Sequence, residues 1–109
     1  MTVETLAKSL GFEALCMPDG DREVSGAYIG DLLSWVIGRA GQDNVWITII
    51  SNINIVAVAT LSDVACILLA ENVTLDDEVR SVAEQRKVNV LRTPLSAYDA
   101  AILISKALC

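Results

Sequence analysis

The chain has 109 residues, of which 53% are hydrophobic, 20% are charged and only 5% are aromatic. This length is enough for one aliphatic core, so we expect residues 1–109 to form a single domain. The net charge of −6 and the eight basic residues argue against a nucleic-acid partner, whose backbone requires clustered Lys and Arg side chains. No apolar run approaches the length of a membrane span, and no signal peptide begins the chain, so we expect a cytoplasmic protein without a membrane partner.

The residue inventory excludes several kinds of catalysis. The chain has no His, which rules out Ser–His, Cys–His and His–metal mechanisms within one chain. Cys16, Cys66 and Cys109 form no C-x-x-C pair, so neither a zinc site nor a thioredoxin-like centre is indicated. The acidic run at residues 76–78 is explained by its place at the start of a predicted helix. No phosphate-binding glycine motif is present. We therefore expect no enzymatic activity, no metal and no cofactor.

The first half of the chain predicts two helices and three strands. The helices cover residues 2–10 and 31–40, and the strands cover residues 12–17, 24–29 and 45–50. In the second helix, apolar residues recur at three- and four-residue steps and should face the core. They are Ile29, Leu32, Leu33, Val36, Ile37 and Ala40. Trp35 falls on the opposite face, where a Trp is unusual in a monomer, so Trp35 is a candidate interface residue.

The second half of the chain alternates helices and strands. Helices are predicted at residues 53–62, 74–86 and 96–108, and strands at 65–70 and 88–91. The first of these helices is ambiguous, since its β-branched residues also suit a strand. A strand there would leave too few residues after Ile50 for a parallel crossover, which favours the helix. Ile55 and Val58 then form a second apolar stripe that needs a cover of its own, and we expect that cover to be another copy of the chain.

Alternating strands and helices are typical of parallel sheets covered by helices. The prediction is an α/β fold, a three-layer α/β/α domain with a mostly parallel sheet of about five strands.

Four segments resemble the pattern of the DRTGG domain, a small module named after its Asp-Arg-Thr-Gly-Gly motif. They lie at residues 21–26, 31–34, 54–59 and 93–98. In the first segment Asp21, Arg22 and Gly26 match the motif, whereas the three residues between Arg22 and Gly26 depart from it. The family pattern often has a His at the position that Asn52 occupies, so a role requiring an imidazole is not expected here.

The resemblance implies a regulatory or scaffolding module that is often dimeric and has no catalytic residues of its own. DRTGG domains occur beside CBS domains in regulated pyrophosphatases, inside some phosphotransacetylases and as free-standing proteins. The N-terminal domain of HPr kinase is related in fold, but fold kinship alone does not imply kinase activity.

Candidate ligand-binding residues follow three predicted strands. In parallel α/β sheets, ligands bind beyond the carboxyl ends of the strands, and each of these loops also opens a helix with free backbone N–H groups. The candidates are Ser51, Asn52, Asn54, Glu71, Asn72, Thr93 and Ser96. Two readings are open: the loops form a pocket for a small polar ligand, or residues such as Asn54, Thr74 and Ser96 only cap helices.

The motif strand adds Gly26 and Tyr28 to the candidates. Gly26 permits the close approach of a ligand or of another backbone, and Arg22 is either a phosphate ligand or a surface charge paired with Asp21 or Glu23.

The sequence leaves two candidate functions. The first is a non-enzymatic, homodimeric regulatory domain that binds an adenine nucleotide or a similar small ligand. The second is an adaptor that docks on a separate enzyme or sensor kinase without a ligand.

Overall fold

The computed structural model describes all 109 residues, which form five helices and five strands. In chain order these are α1 (Val3–Leu10), β1 (Glu13–Cys16), β2 (Gly26–Ile29), α2 (Leu33–Arg39), β3 (Asn44–Thr48), α3 (Asn54–Ser62), β4 (Cys66–Leu69), α4 (Asp77–Gln85), β5 (Val90–Arg92) and α5 (Ala97–Leu108). The predicted α/β class is confirmed, and the segment at residues 53–62 is a helix, as the short connection from β3 required. None of the helices combines the length and the apolar character needed to cross a membrane.

All five strands belong to one sheet in the order β1-β5-β4-β3-β2. Strands β2 to β5 are parallel to their neighbours, and β1 pairs with β5 in the antiparallel direction. The sheet is therefore mixed, although mostly parallel as predicted. We call the side where the parallel strands begin the amino edge, and the side where they end the carboxyl edge.

The buried residues divide into two clusters because successive side chains of a strand point to opposite faces. In β3, Val45 and Ile47 belong to a cluster that also takes residues from α1 and α5. Trp46, between them, belongs to the other cluster, which takes residues from α2, α3 and α4. The three-layer arrangement stays a prediction, and this division of the core supports it.

The prediction for the exposed face of α3 is wrong. Ile55 and Val58, predicted to form a stripe in need of a partner chain, are buried within this chain, whereas Ile53 and Leu61 are exposed. The reason is that α3 lies between α2 and α4, so neighbouring helices cover the stripe that the sequence left uncovered. Ile55 and Val58 are therefore core residues rather than interface residues.

Helix α2 also buries less than its pattern predicted. Only Val36 is fully buried, and Leu32 and Ile37 are exposed by 58% and 45%. This helix follows β2, which is an edge strand of the sheet, and the helix that it contacts most is α3. It therefore has fewer neighbours than α3. Trp35 is 53% exposed, in agreement with its predicted position on the outer face.

Candidate functional site

The predicted ligand loops leave adjacent strands at the carboxyl edge. Thr48, the last residue of β3, pairs with Leu69 at the end of β4, and Leu69 pairs with Arg92 at the end of β5. The loops that contain Ser51, Glu71 and Thr93 therefore start side by side, as parallel strands require.

Two of these loops are joined by backbone hydrogen bonds. Glu71 N donates to Leu95 O at 2.8 Å, and Asn72 N donates to Thr93 O at 2.9 Å. Glu71 and Asn72 are both left-handed, with φ of 58° and 57°, a conformation that Asn tolerates and Glu adopts only when its surroundings hold it. Both side chains are exposed and make no hydrogen bond within the chain. They are free polar groups of this edge, as are the side chains of Ser51 and Asn54 in the loop before α3.

Asp31 orders the third loop. Its Oδ1 accepts from Thr48 Oγ1 at 2.8 Å and from Ile49 N at 3.0 Å, and Thr48 Oγ1 accepts in turn from Ile50 N. The sequence placed Asp31 at a helix N-terminus, but α2 begins only at Leu33. Its position two residues after the end of β2 was the signal that could have identified its role, since β2 and β3 are neighbours.

Three of the candidate side chains are already engaged inside the chain. Asn52 Oδ1 accepts from Asn54 N at 2.9 Å in the turn that leads into α3, and Ser96 Oγ accepts from Asp99 N at 3.1 Å, which caps α5. The Thr93 side chain is buried and its Oγ1 accepts from Leu95 N. For Ser96 the capping interpretation therefore holds, whereas Asn54 is the first residue of α3 and caps nothing. A ligand would reach Thr93 only after the loop rearranged. Thr74 also caps no helix, because α4 begins at Asp77.

The structure separates Gly26 from the ligand loops, whereas Tyr28 leans toward the carboxyl end of β2. Gly26 pairs with Asn44 at the amino edge, and a Cβ at Gly26 would lie 3.3 Å from Asn44 Nδ2. The close approach at Gly26 is thus an internal one, and its grouping with the carboxyl-edge residues is wrong. The ring of Tyr28 is half-buried over Gly30, where a Cβ would lie 2.7 Å from Tyr28 Cε2.

The carboxyl edge is a surface rather than a pocket. The chain has five surface cavities, and of the candidates in these loops only Asn54 lines one of them, between α3 and α4. No group of three acidic or Cys side chains is placed to hold a metal ion. Large apolar side chains are exposed around these loops, and we call them the apolar surface: Ile29, Leu32, Trp35, Ile49 and Ile53. The Arg39 guanidinium lies 3.9 Å from the centre of the Trp35 ring, a cation–π contact that holds the indole in place.

Arg22 lies at the opposite, amino edge and joins two loops there. Its Nε donates to Asp43 Oδ1 at 2.9 Å, and its Nη2 donates to Asp63 Oδ1 at 2.7 Å and to Asp63 O at 2.6 Å. Asp43 precedes β3 and Asp63 precedes β4, and both are left-handed. The sequence suggested pairing with Asp21 or Glu23, but residues so close in a non-helical segment do not reach the guanidinium. Instead, Glu23 pairs with the N-terminal amine.

The segment from β1 to β2 runs along the amino edge and is fixed at several points. Asp19 N donates to Asn89 Oδ1, and Asn89 Nδ2 donates back to Asp19 O and to Ala65 O. Ser25 N donates to Asp43 O farther along. Together with Arg22, these bonds tie the motif segment to the loops that open β3, β4 and β5. Arg22, the motif residue whose side chain forms hydrogen bonds, therefore has a structural role here.

Two of the three cysteines, Cys16 and Cys66, are buried in the core. Burial and a nearby carboxylate, Glu84, raise the pKa of the Cys16 thiol to about 12, and burial raises the pKa of Cys66 to about 12. Cys16 Sγ donates to Glu84 Oε2 at 3.0 Å. Cys109 is exposed. A neutral, buried thiol is a poor nucleophile, so neither core cysteine is placed for catalysis.

Comparison with known proteins agrees with this architecture. The family model of the DRTGG domain matches residues 5–107, and no curated protein matches the chain. A solved structure of the CBS and DRTGG domains from the regulatory region of Clostridium perfringens pyrophosphatase, in complex with the activator diadenosine tetraphosphate, superposes with a TM-score of 0.75 at 16% identity. The match covers 98% of this chain and 47% of that one, so the chain spans about half of it. At this identity the likeness shows the fold, and the family match carries the assignment: the chain belongs to the DRTGG domain family.

Proposed function

We infer that this protein is a non-enzymatic regulatory domain that senses a small polar ligand, of which an adenine nucleotide is the leading candidate, and that it acts as a homodimer. The observation that carries the proposal is the carboxyl edge. There, free polar side chains from neighbouring loops stand beside an exposed apolar surface. Family membership supports a regulatory role, and the similar pyrophosphatase region, solved with a dinucleotide activator, supports a nucleotide as the ligand.

In this proposal, the ligand-binding site forms only in the dimer. In one chain no cavity takes in the loops after β4 and β5, and the one that reaches the carboxyl edge does so only beside Asn54, whereas ligand sites are normally concave. Trp35 and Leu32 expose more than half of their surface there, and large exposed apolar patches mark interaction sites. Pairing two copies through this surface buries the indole and places the loops of both copies across a cleft. In such a dimer the ligand lies between the two chains.

The chemistry of the loops favours a ligand that donates hydrogen bonds. The backbone N–H groups of Asn54 and Ile55 at the start of α3 are already bonded within the chain, so a ligand at this edge would meet mainly side chains. The exposed carboxylate of Glu71 repels a bare phosphate and accepts from an amine or a hydroxyl. An adenine amine or a ribose hydroxyl therefore suits this edge better than an isolated phosphate group.

The test is a thermal-shift titration with AMP, ATP and diadenosine tetraphosphate, combined with sedimentation. A ligand at one hundred times its dissociation constant stabilises the native state by about 2.7 kcal/mol, so the melting temperature rises measurably. Glu71→Gln and Asn72→Ala should reduce that rise, whereas Glu78→Gln, which changes an exposed carboxylate on α4, should not. A monomer at high micromolar concentration, or equal shifts in all variants, would refute the proposed site.

An adaptor that docks on a separate enzyme or sensor kinase is the second candidate, and the exposed Trp35 is the observation that favours it. Trp is enriched among the residues that dominate binding energy. The two functions differ in their response to Trp35→Ala. If the protein is a ligand-binding homodimer, Trp35→Ala dissociates without unfolding and loses ligand binding. If the protein is an adaptor, the wild type is already a monomer that binds no nucleotide, and Trp35→Ala changes only the affinity for the partner.

The absence of catalysis is also a proposal, with its own test. We expect no turnover of ATP or acetyl phosphate by highly purified protein. Steady hydrolysis that is lost in Glu71→Gln or Asp31→Asn would contradict it, because contaminating enzymes would not respond to those substitutions.

A further inference from the structure

A small cavity at the amino edge gathers three of the eight basic side chains of this acidic protein. Arg22 lines it from the motif segment, and Arg86 and Lys87 line it from the turn that follows α4. The carboxylates of Asp19 and Asp63 lie at the same cavity, whose volume is about 220 Å³. The formal charge of its lining is thus positive in a chain of net charge −6.

Two of these cations have no partner within the chain. Arg22 is held by Asp43 and Asp63, but Arg86 and Lys87 form none of the ion pairs of the structure, and both are exposed. Their position after a helix C-terminus accounts for the sign of their charge. The helix end does not explain why they line the same cavity as Arg22, which lies more than sixty positions earlier in the chain.

We propose that this cavity binds the phosphate group of a small hydroxylated phosphate monoester, such as a sugar phosphate. Lys87 and Arg86 donate charge-assisted hydrogen bonds to the phosphate oxygens, a pairing roughly twice as strong as a neutral hydrogen bond. Asp19 and Asp63 accept hydrogen bonds from the hydroxyl groups of the same ligand. This site lies across the sheet from the carboxyl edge, and it does not depend on the ligand proposed there.

The size and charge of the cavity decide between ligand classes. Pockets for drug-sized ligands span about 300–1,000 Å³, so 220 Å³ suits a monosaccharide phosphate better than a whole nucleotide. The two carboxylates oppose a bare anion, and so does the negative end of α4. The hydroxyl groups of a sugar donate hydrogen bonds to these carboxylates. A sugar phosphate should therefore bind more tightly than inorganic phosphate.

The experiment is an NMR titration of ¹⁵N-labelled protein with ribose 5-phosphate and with inorganic phosphate, against sodium chloride at equal ionic strength. We expect saturable shifts at residues 60–64 and 86–88 with the sugar phosphate, half-complete near about 1 mM. Lys87→Gln and Arg86→Gln should each weaken binding about tenfold, the effect of one charged hydrogen bond. Gln is no more strained than Lys at the left-handed position 87, so the fold is preserved.

Arg80→Gln is the matched control, because it removes one positive charge from α4 itself and Arg80 lines a different cavity. Its affinity should equal that of the wild type. Equal weakening in Arg80→Gln would show that only net charge matters, and shifts that sodium chloride reproduces would show ionic strength alone; either result overturns the proposal. Equal affinities for ribose 5-phosphate and inorganic phosphate would overturn the assignment of a hydroxylated ligand.

Discussion

Replacing Arg22 tests whether the motif segment holds the amino edge together. Arg22→Met keeps the apolar stem of the side chain and removes its charge and three hydrogen bonds, one to Asp43 and two to Asp63. The Arg22 side chain is only 23% exposed, whereas the side chains of Asp43 and Asp63 are 36% and 53% exposed. Solvent therefore screens the Asp63 contact more than the Asp43 contact.

The magnitude follows from these exposures. A hydrogen bond to a charged group contributes about 1.5–3 kcal/mol when it is shielded and less than about 1 kcal/mol when it is exposed. One partly shielded contact and one largely exposed partner together give about 2–3 kcal/mol. In urea, where a chain of this size unfolds with a slope of about 1.5 kcal/mol per molar, the midpoint should fall by about 1–2 M.

A second ion pair in the same protein provides the control. Arg92 is also 23% exposed and donates two bonds to Glu13 at the opposite end of the sheet, but Glu13 is 56% exposed and no further carboxylate is involved. Arg92→Met should cost less than about 1 kcal/mol. If Arg22→Met costs no more than Arg92→Met, the motif arginine does not hold the loops together.

A double-mutant cycle isolates the contact with Asp63. Asp63 is left-handed, a conformation that Asn tolerates equally well, so Asp63→Asn removes the charge without straining the backbone. Combined with Arg22→Met, it should give a coupling energy of about 1 kcal/mol. Additive effects of the two substitutions would contradict the clamp.

The remaining predictions concern the carboxyl edge and the cysteines. Asp31→Ala should lower the free energy of unfolding by about 1–3 kcal/mol, because it leaves two donors unpaired, whereas Asp21→Ala, which removes no bond, should be neutral; urea unfolding compares them. Asn52→Ala should cost about 0.5 kcal/mol by the same measurement, since it removes one exposed bond to Asn54 N. A native thiol titration should modify Cys109 alone. The raised pKa of Cys16, about 12 against 9.0 in the unfolded chain, stabilises the fold fully below pH 9, and this stabilisation is lost as the pH rises toward 12. The urea midpoints of wild type and Cys16→Ala should therefore lie closer together at about pH 10.5 than at pH 8.

The order of elements could be predicted because it depends on local pattern. The β-branched run of β3 and the alternation after it indicate parallel strands joined by helices, and parallel strands bring their following loops to one edge. Ser96 could likewise be identified as a cap from its position before α5. These features can be predicted without knowing which elements pack against each other.

The exposed and buried faces of the helices could not be predicted in the same way. Periodicity identifies residues that share a face, but which face is covered depends on neighbours distant in the chain. Ile55 and Val58 are buried because α2 and α4 flank α3. Leu32 and Ile37 are exposed because α2 lies at the end of the sheet.

The partners of Arg22 were hidden for a related reason. Asp43 and Asp63 lie 21 and 41 positions from it, and the local sequence offers nearer acids, Asp21 and Glu23. Only the course of the motif segment along the amino edge, past the starts of β3 and β4, brings the guanidinium to the distant pair. A single sequence does not show that course.

The two edges of the sheet therefore have different tasks in this chain. At the amino edge, Arg22 of the family motif is bonded to the loops that open β3 and β4, whereas Arg86 and Lys87 remain unpaired. At the carboxyl edge, Asp31 and the capping residues order the loops and leave Glu71 and Asn72 unbonded beside the apolar surface. A group that is already satisfied gains little from a ligand, because binding would only exchange one hydrogen bond for another. The functional surfaces of this domain should accordingly be sought among its unpaired groups rather than in the motif that identifies its family.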